Sequence, residues 1–119
     1  MKTEFTTFRV IEGKEERARE WMDLLTQRKN ECVETLPREK MVYESIFMYE
    51  KEGRMFLSWF SIQKDIHEKV ETSEHDIDRL HLEFWDECID REFEPEDHYH
   101  VVSFLPNEME GTISALYEE

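Results

Sequence analysis

The stretch at residues 47–60, FMYEKEGRMFLSWF, places bulky apolar side chains on both sides of a Lys-Glu-Gly turn. Successive side chains of a strand point to opposite faces, so residues two apart share a side. Residues 41–50, MVYESIFMYE, and 54–63, RMFLSWFSIQ, read as two strands joined by this turn, with Gly53 available for a positive φ. Val42, Ile46 and Met48 share one side of the first strand, and Met41, Tyr43, Phe47 and Tyr49 the other. On the second strand Met55, Leu57 and Trp59 oppose Phe56, Phe60 and Ile62. A hairpin of this kind needs cover on both faces, because every large side chain left in water forfeits about 1.5–3 kcal/mol of burial.

The rest of the chain supplies cover for one face. Residues 3–12, TEFTTFRVIE, read as a first strand. From Lys14 to about Leu36, apolar residues at Ala18, Trp21, Met22, Leu25, Cys32 and Leu36 keep helical spacing, which predicts one amphipathic helix stopped by Pro37. Asp65 opens a short helical turn. Ser73 and Asp76 resemble a capping box for a second long helix, whose inward stripe is Ile77, Leu80, Phe84 and Cys88 with His81 and Trp85 beside it. Residues 98–105, HYHVVSFL, read as a final strand, followed by a tail with one helical turn around residues 113–117.

The element order β-α-β-β-α-β predicts an α+β, ferredoxin-like domain with a four-stranded antiparallel sheet and both helices on one face. Right-handed crossovers put the first and third strands in the centre. The expected organisation is a single domain over residues 1–119, with a core at 3–105 and a tail at 106–119. Two helices leave the second face bare, and a second copy of the sheet is its simplest cover, so a two-fold homodimer is expected.

The formal charge of −15 argues against nucleic-acid or anionic-membrane partners, since no excess of Lys or Arg is available to displace counterions. Residues 83–97 hold eight carboxylates against Arg91, seven of those fifteen net charges. This strip reads as a solvated surface or as a docking face for a basic partner. Two cysteines, Cys32 and Cys88, at apolar helical positions read as buried thiols. With no signal-like or spanning segment in the sequence, a cytoplasmic location is expected.

The chain resembles the dimeric α/β-barrel superfamily in element order over residues 3–105. Through His81 and the FWDECI segment at 84–89 it is similar to a family of small uncharacterised bacterial proteins. The first resemblance implies subunits paired through their sheets, and cofactor-independent oxidation or isomerisation among the possible activities. Its haem-degrading branch uses an Asn, a Trp and a His, whereas here the asparagines are Asn30, in the first helix, and Asn107, past the last strand.

No Gly-rich phosphate loop, CxxC motif or nucleophile elbow is present, and no cofactor is expected. Polar residues among apolar strand positions are the more informative ones. Arg9, Glu44, Trp59, His81 and His100 are the expected lining of a ligand pocket between helices and sheet, with Arg9 and Glu44 as one possible ion pair. His81, Arg9 and Glu44 are the catalytic candidates, His81 as a general base or as a hydrogen-bonded core residue. His98 and His100 share a strand face and have the spacing of two metal ligands, with Glu44 or a carboxylate from 94–97 as a third; polar residues at a strand start read the same way. Whether the protein is an enzyme, a ligand-binding dimer or an acidic interaction module stays open at this level.

Overall fold

The computed structural model describes residues 1–64 and 75–118 of the chain. Four strands, β1 (Lys2–Arg9), β2 (Met41–Lys51), β3 (Arg54–Gln63) and β4 (Glu96–Asp97), form one antiparallel sheet in the order β2-β3-β1-β4. The helices among the described residues are α1 (Glu15–Gln27), α2 (Lys29–Glu39), α3 (Asp76–Cys88) and α4 (Asn107–Ala115). β1 and β3 are central, as the crossover argument expects. The short turn near Asp65 and the Ser73 cap lie outside the described residues.

The β2–β3 hairpin closes through Glu52 and Gly53, with φ of 53° and 75° and Lys51 opposite Arg54. Two successive positive-φ residues make the tight turn whose twist matches that of the strands. β3 pairs with β2 along its whole length, apart from a bulge between Met41 and Tyr43, and with β1 from Phe56 to Gln63. The two faces therefore align across the sheet. Phe8, Leu57 and Met48 fall in one row on the helix side, while Arg9, Phe56 and Tyr49 fall in the adjacent row on the other side.

The core lies between the helix side of the sheet and α1 and α3. Val10, Ala18, Trp21, Leu57 and Cys88 are fully buried there, and Phe8, Ile46, Trp59, Phe84 and Trp85 pack around them. Cys88 is buried and Cys32 half-buried, both as free thiols.

Four expectations need correcting. The first long helix is two helices, broken at Arg28, whose N–H still donates to Leu24 while its carbonyl accepts from Glu31 and Cys32. Between Leu25 and Cys32 the sequence TQRKNE offers no apolar side chain, so no burial holds that turn to a straight axis. Pro37 lies inside the last turn of α2 rather than ending it; the helix ends at Lys40, in the left-handed region at φ 55°. Residues 98–105 are not a strand: β4 is the pair Glu96–Asp97, and beyond it the His98 N–H donates to the Phe5 carbonyl at 2.9 Å before the chain leaves the ladder. The tail explains the departure. Tyr117 Oη donates to the Met41 carbonyl at 2.8 Å, and Lys64 Nζ donates to the carbonyls of Ile113 and Ser114. α4, a nine-residue helix where one turn was expected, is thus tied to the β2–β3 side, and the segment after β4 must cross away from β1 to reach it.

Candidate functional site

Register builds a graded surface on the helix side of the sheet. Starting at the hairpin end, the rows are Phe8/Leu57/Met48, then Thr6/Trp59/Ile46, then Glu4/Ser61/Glu44, then Gln63 beside Met41. Rows two residues apart are separated by about 7 Å. The surface thus runs from apolar and aromatic to acidic within about 20 Å. α1, α2 and α3 stand over it without closing on it, leaving an open cleft of about 1130 Å³.

The apolar end is lined by Phe8, Met22, Ile46, Trp59 and Trp85. Ring centroids of Phe8 and Trp85 lie 4.6 Å apart, and those of Trp59 and Trp85 lie 5.2 Å apart, edge to face. The other end gathers Glu39 from the end of α2, Glu44 and Ser61 from the sheet, Gln63 from the end of β3, and Asp78 from the first turn of α3. Gln63 is 2% exposed and Asp78 6% exposed. Gln63 Nε2 donates to Ser61 Oγ at 2.9 Å, but Gln63 Oε1 and Asp78 Oδ2 have no hydrogen-bond partner among the described residues. Burial raises the Glu39 carboxyl to about 7, with repulsion from Glu44 and Asp78 adding to it. Glu44 is reached by the water of the cleft yet walled by protein elsewhere, and desolvation followed by Asp78 raises it too.

His81 sits between the two ends. The Trp21 indole N–H, which can only donate, reaches His81 Nδ1 at 3.0 Å. Burial lowers the imidazole pKa against the opposing pull of Asp78, which keeps the ring neutral. The proton is then on Nε2, and the ring offers a donor rather than a free basic nitrogen.

Of the expected pocket residues, Glu44, Trp59 and His81 meet in this cleft, whereas Arg9 and His100 lie outside its lining. The Arg9–Glu44 pair does not exist, because register puts Arg9 on the opposite face from Glu44. Arg9 instead donates twice to Asp90 Oδ2, at 3.0 and 2.8 Å, alongside Arg54 at 3.2 Å. His98 Nδ1 meets the Phe5 carbonyl at 3.2 Å and His100 Nε2 meets Ser103 Oγ at 2.7 Å. Among the described residues no three His, Cys, Asp or Glu side chains converge in a metal-holding group.

Sequence reasoning missed Glu39, Ser61, Gln63 and Asp78. For three of them a signal existed. Ser61 and Gln63 continue the two-residue period of Trp59, and Asp78 lies three before His81 and seven before Trp85, on the same helical stripe. Glu39 carried none.

Within the acidic strip, Asp86 pairs with Arg91, Glu87 with Arg17 and Lys14, and Asp90 with Arg9 and Arg54. No helix among the described residues is long and apolar enough to cross a membrane.

A family model described as a family of unknown function (DUF6176) matches residues 1–110. No curated protein and no solved structure matches the chain.

Proposed function

Because the chain belongs to that family, whose description assigns no activity, we propose from the geometry that the protein binds a small molecule in the cleft between helices and sheet. The carrying observation is the cleft itself: about 1130 Å³, with aromatic walls and buried acceptors converging at one end. Proteins seldom leave buried polar atoms unpaired, since each costs about 1–3 kcal/mol. His81 acts here as a donor to ligand, because its Nδ1 is occupied and its Nε2 protonated. Superfamily analogy suggests a cofactor-independent oxidation or isomerisation as the chemistry, if there is any. The alternative, an acidic docking module at residues 83–97, is weakened by the internal pairing of Asp86, Glu87 and Asp90.

Three tryptophans give three indole N–H signals, a direct readout of the cleft. A fragment library screened by NMR is expected to contain members that move the Trp59 and Trp85 signals. Complete absence of such shifts at millimolar fragment, in a folded protein, overturns the reading.

The proposal includes a ferredoxin-like fold paired through its sheet into a dimeric barrel, supported by the order β2-β3-β1-β4 and by the open face. Tyr43, Phe47 and Tyr49 are 50%, 54% and 42% exposed there. Tyr99, Val101 and Phe104, on the segment that leaves the sheet, are 97%, 88% and 87% exposed. The charged strand residues of the open face are Arg9 and Arg54, both tied to Asp90, with Lys51 opposite Arg54 and Glu96 opposite Thr7. In a chain of net charge −15 it is a surface on which two copies can meet without strong repulsion. Sedimentation is expected to give twice 14.6 kDa at ~10 µM, a concentration at which a standard-size interface is populated. A particle of 14.6 kDa at that concentration refutes the dimer and leaves the cleft reading intact.

A further inference from the structure

Resting on the cleft reading, we infer that the ligand is an organic cation: an aromatic or branched apolar body carrying a protonated amine, its ammonium seated among Glu39, Glu44, Asp78 and Gln63.

The acid cluster alone does not carry this. Two independent observations do. Asp78 and Gln63 are both more than nine-tenths buried, both line the cleft, and each leaves an acceptor oxygen, Oδ2 and Oε1, without a donor among the described residues. The unmet demand is thus for donors, and an ammonium brings up to three together with the charge that three carboxylates call for. The second observation is the gradient of the sheet. The Trp59 row lies one two-residue step from the Glu44–Ser61 row, so a group about 7 Å from the ammonium meets aromatic rings. Aromatic faces also favour a neighbouring cation.

A metal ion fits less well. It demands several oxygens at about 2.0–2.6 Å from one point, and no such convergence of acidic side chains exists among the described residues. An anion or a plain hydrocarbon leaves Gln63 Oε1 and Asp78 Oδ2 as they are, and an anion adds repulsion.

The test compares three probes of one shape: 3-phenylpropylamine, 3-phenylpropanol and 3-phenylpropionate, each titrated against the wild type by thermal shift and by the indole N–H signals. The amine is expected to bind at least tenfold more tightly than the other two and to move the Trp59 signal. Glu44→Gln and Asp78→Asn are each expected to weaken the amine tenfold or more and to leave the alcohol within about twofold. Both substitutions are also expected to raise the Tm of the unliganded protein, since each removes a like charge from a donor-poor group of three carboxylates; a purely structural role for these residues predicts a fall. Equal or tighter binding of alcohol or carboxylate overturns the cation and upholds the cleft. Saturable Mg²⁺ or Ca²⁺ stabilisation lost in Asp78→Asn, with no amine binding, replaces the organic cation by a metal. Failure of all three probes overturns the inference, and the fragment library then decides separately whether the cleft takes ligands at all.

Discussion

Burial raises the Glu39 carboxyl from 4.5 to about 7, and the consequence is a stability that depends on pH. Between these two values the native state holds a proton that the unfolded chain has lost, so stability falls as pH rises through the window and the cost is complete above about 7. Glu44 shifts the same way. His81 opposes them: its lowered pKa means that stability is lost as pH falls below 6.5. Glu39→Gln isolates one group. It is expected to stabilise the unliganded protein at pH 8 by about 1–2 kcal/mol, less than the unscreened shift because water reaches part of the carboxyl. The gain should fade by about pH 5, where the native carboxyl is already neutral. Urea titrations at the two pH values measure it, and an equal gain at both would contradict the assignment. At the far end, hydrogen bonds from Arg17 and then Lys14 hold Glu87 down to about 2, so its contribution is present above 4.5 and lost only as pH falls toward 2.

At the scale of elements, the hairpin turn holds one of the three non-glycine residues with positive φ among the described residues, and Asp90 joins two strands. Gly53 at φ 75° has open space where a Cβ would go, so Gly53→Ala costs backbone energy only, about 1 kcal/mol. Glu52, at φ 53°, is a poor residue for the first position of such a turn, and Glu52→Asn is expected to stabilise by about 0.5 kcal/mol. Chemical denaturation of the two variants should shift the midpoint in opposite directions; parallel shifts would mean that the turn geometry is different. Asp90 ties the end of β1 to the start of β3 and to its own loop, accepting from Arg9, Arg54 and the Glu92 N–H. Asp90→Ala strands two guanidinium groups that are only about a quarter exposed, 25% and 26%, and is expected to lower the Tm by roughly 4–8 °C. An unchanged melting curve would show that water replaces the carboxylate at no cost.

The whole molecule presents one face to its helices and one to the outside. Phe104→Asp tests the proposed dimer: Phe104 is 87% exposed, so the substitution should leave unfolding of the single chain unchanged while weakening the proposed self-association at least tenfold. Sedimentation across a dilution series reads the association, and an unaltered constant would remove the segment after β4 from the interface. The same face shows why Arg9, an unusual strand residue, lies away from the cleft between helices and sheet. A strand's period states which residues share a side, but the sign of that side, toward helices or away, depends on neighbours elsewhere in the chain.

What the sequence by itself determined was local. The two-residue period around residues 41–63, the turn at Gly53 and the helical stripe through Ile77, His81 and Trp85 all rest on interactions within a few residues, and each was legible. The tertiary structure decided which distant groups meet. It split the first helix where no apolar side chain offered burial, and it drew residues 98–105 off the sheet because α4 is anchored on its far side. It also gathered Glu39, Glu44, Gln63 and Asp78 from four separate elements into one cleft. Periodicity encodes the face of an element, whereas a binding site is a meeting of faces, and that depends on register, crossover and the packing of helices over the sheet.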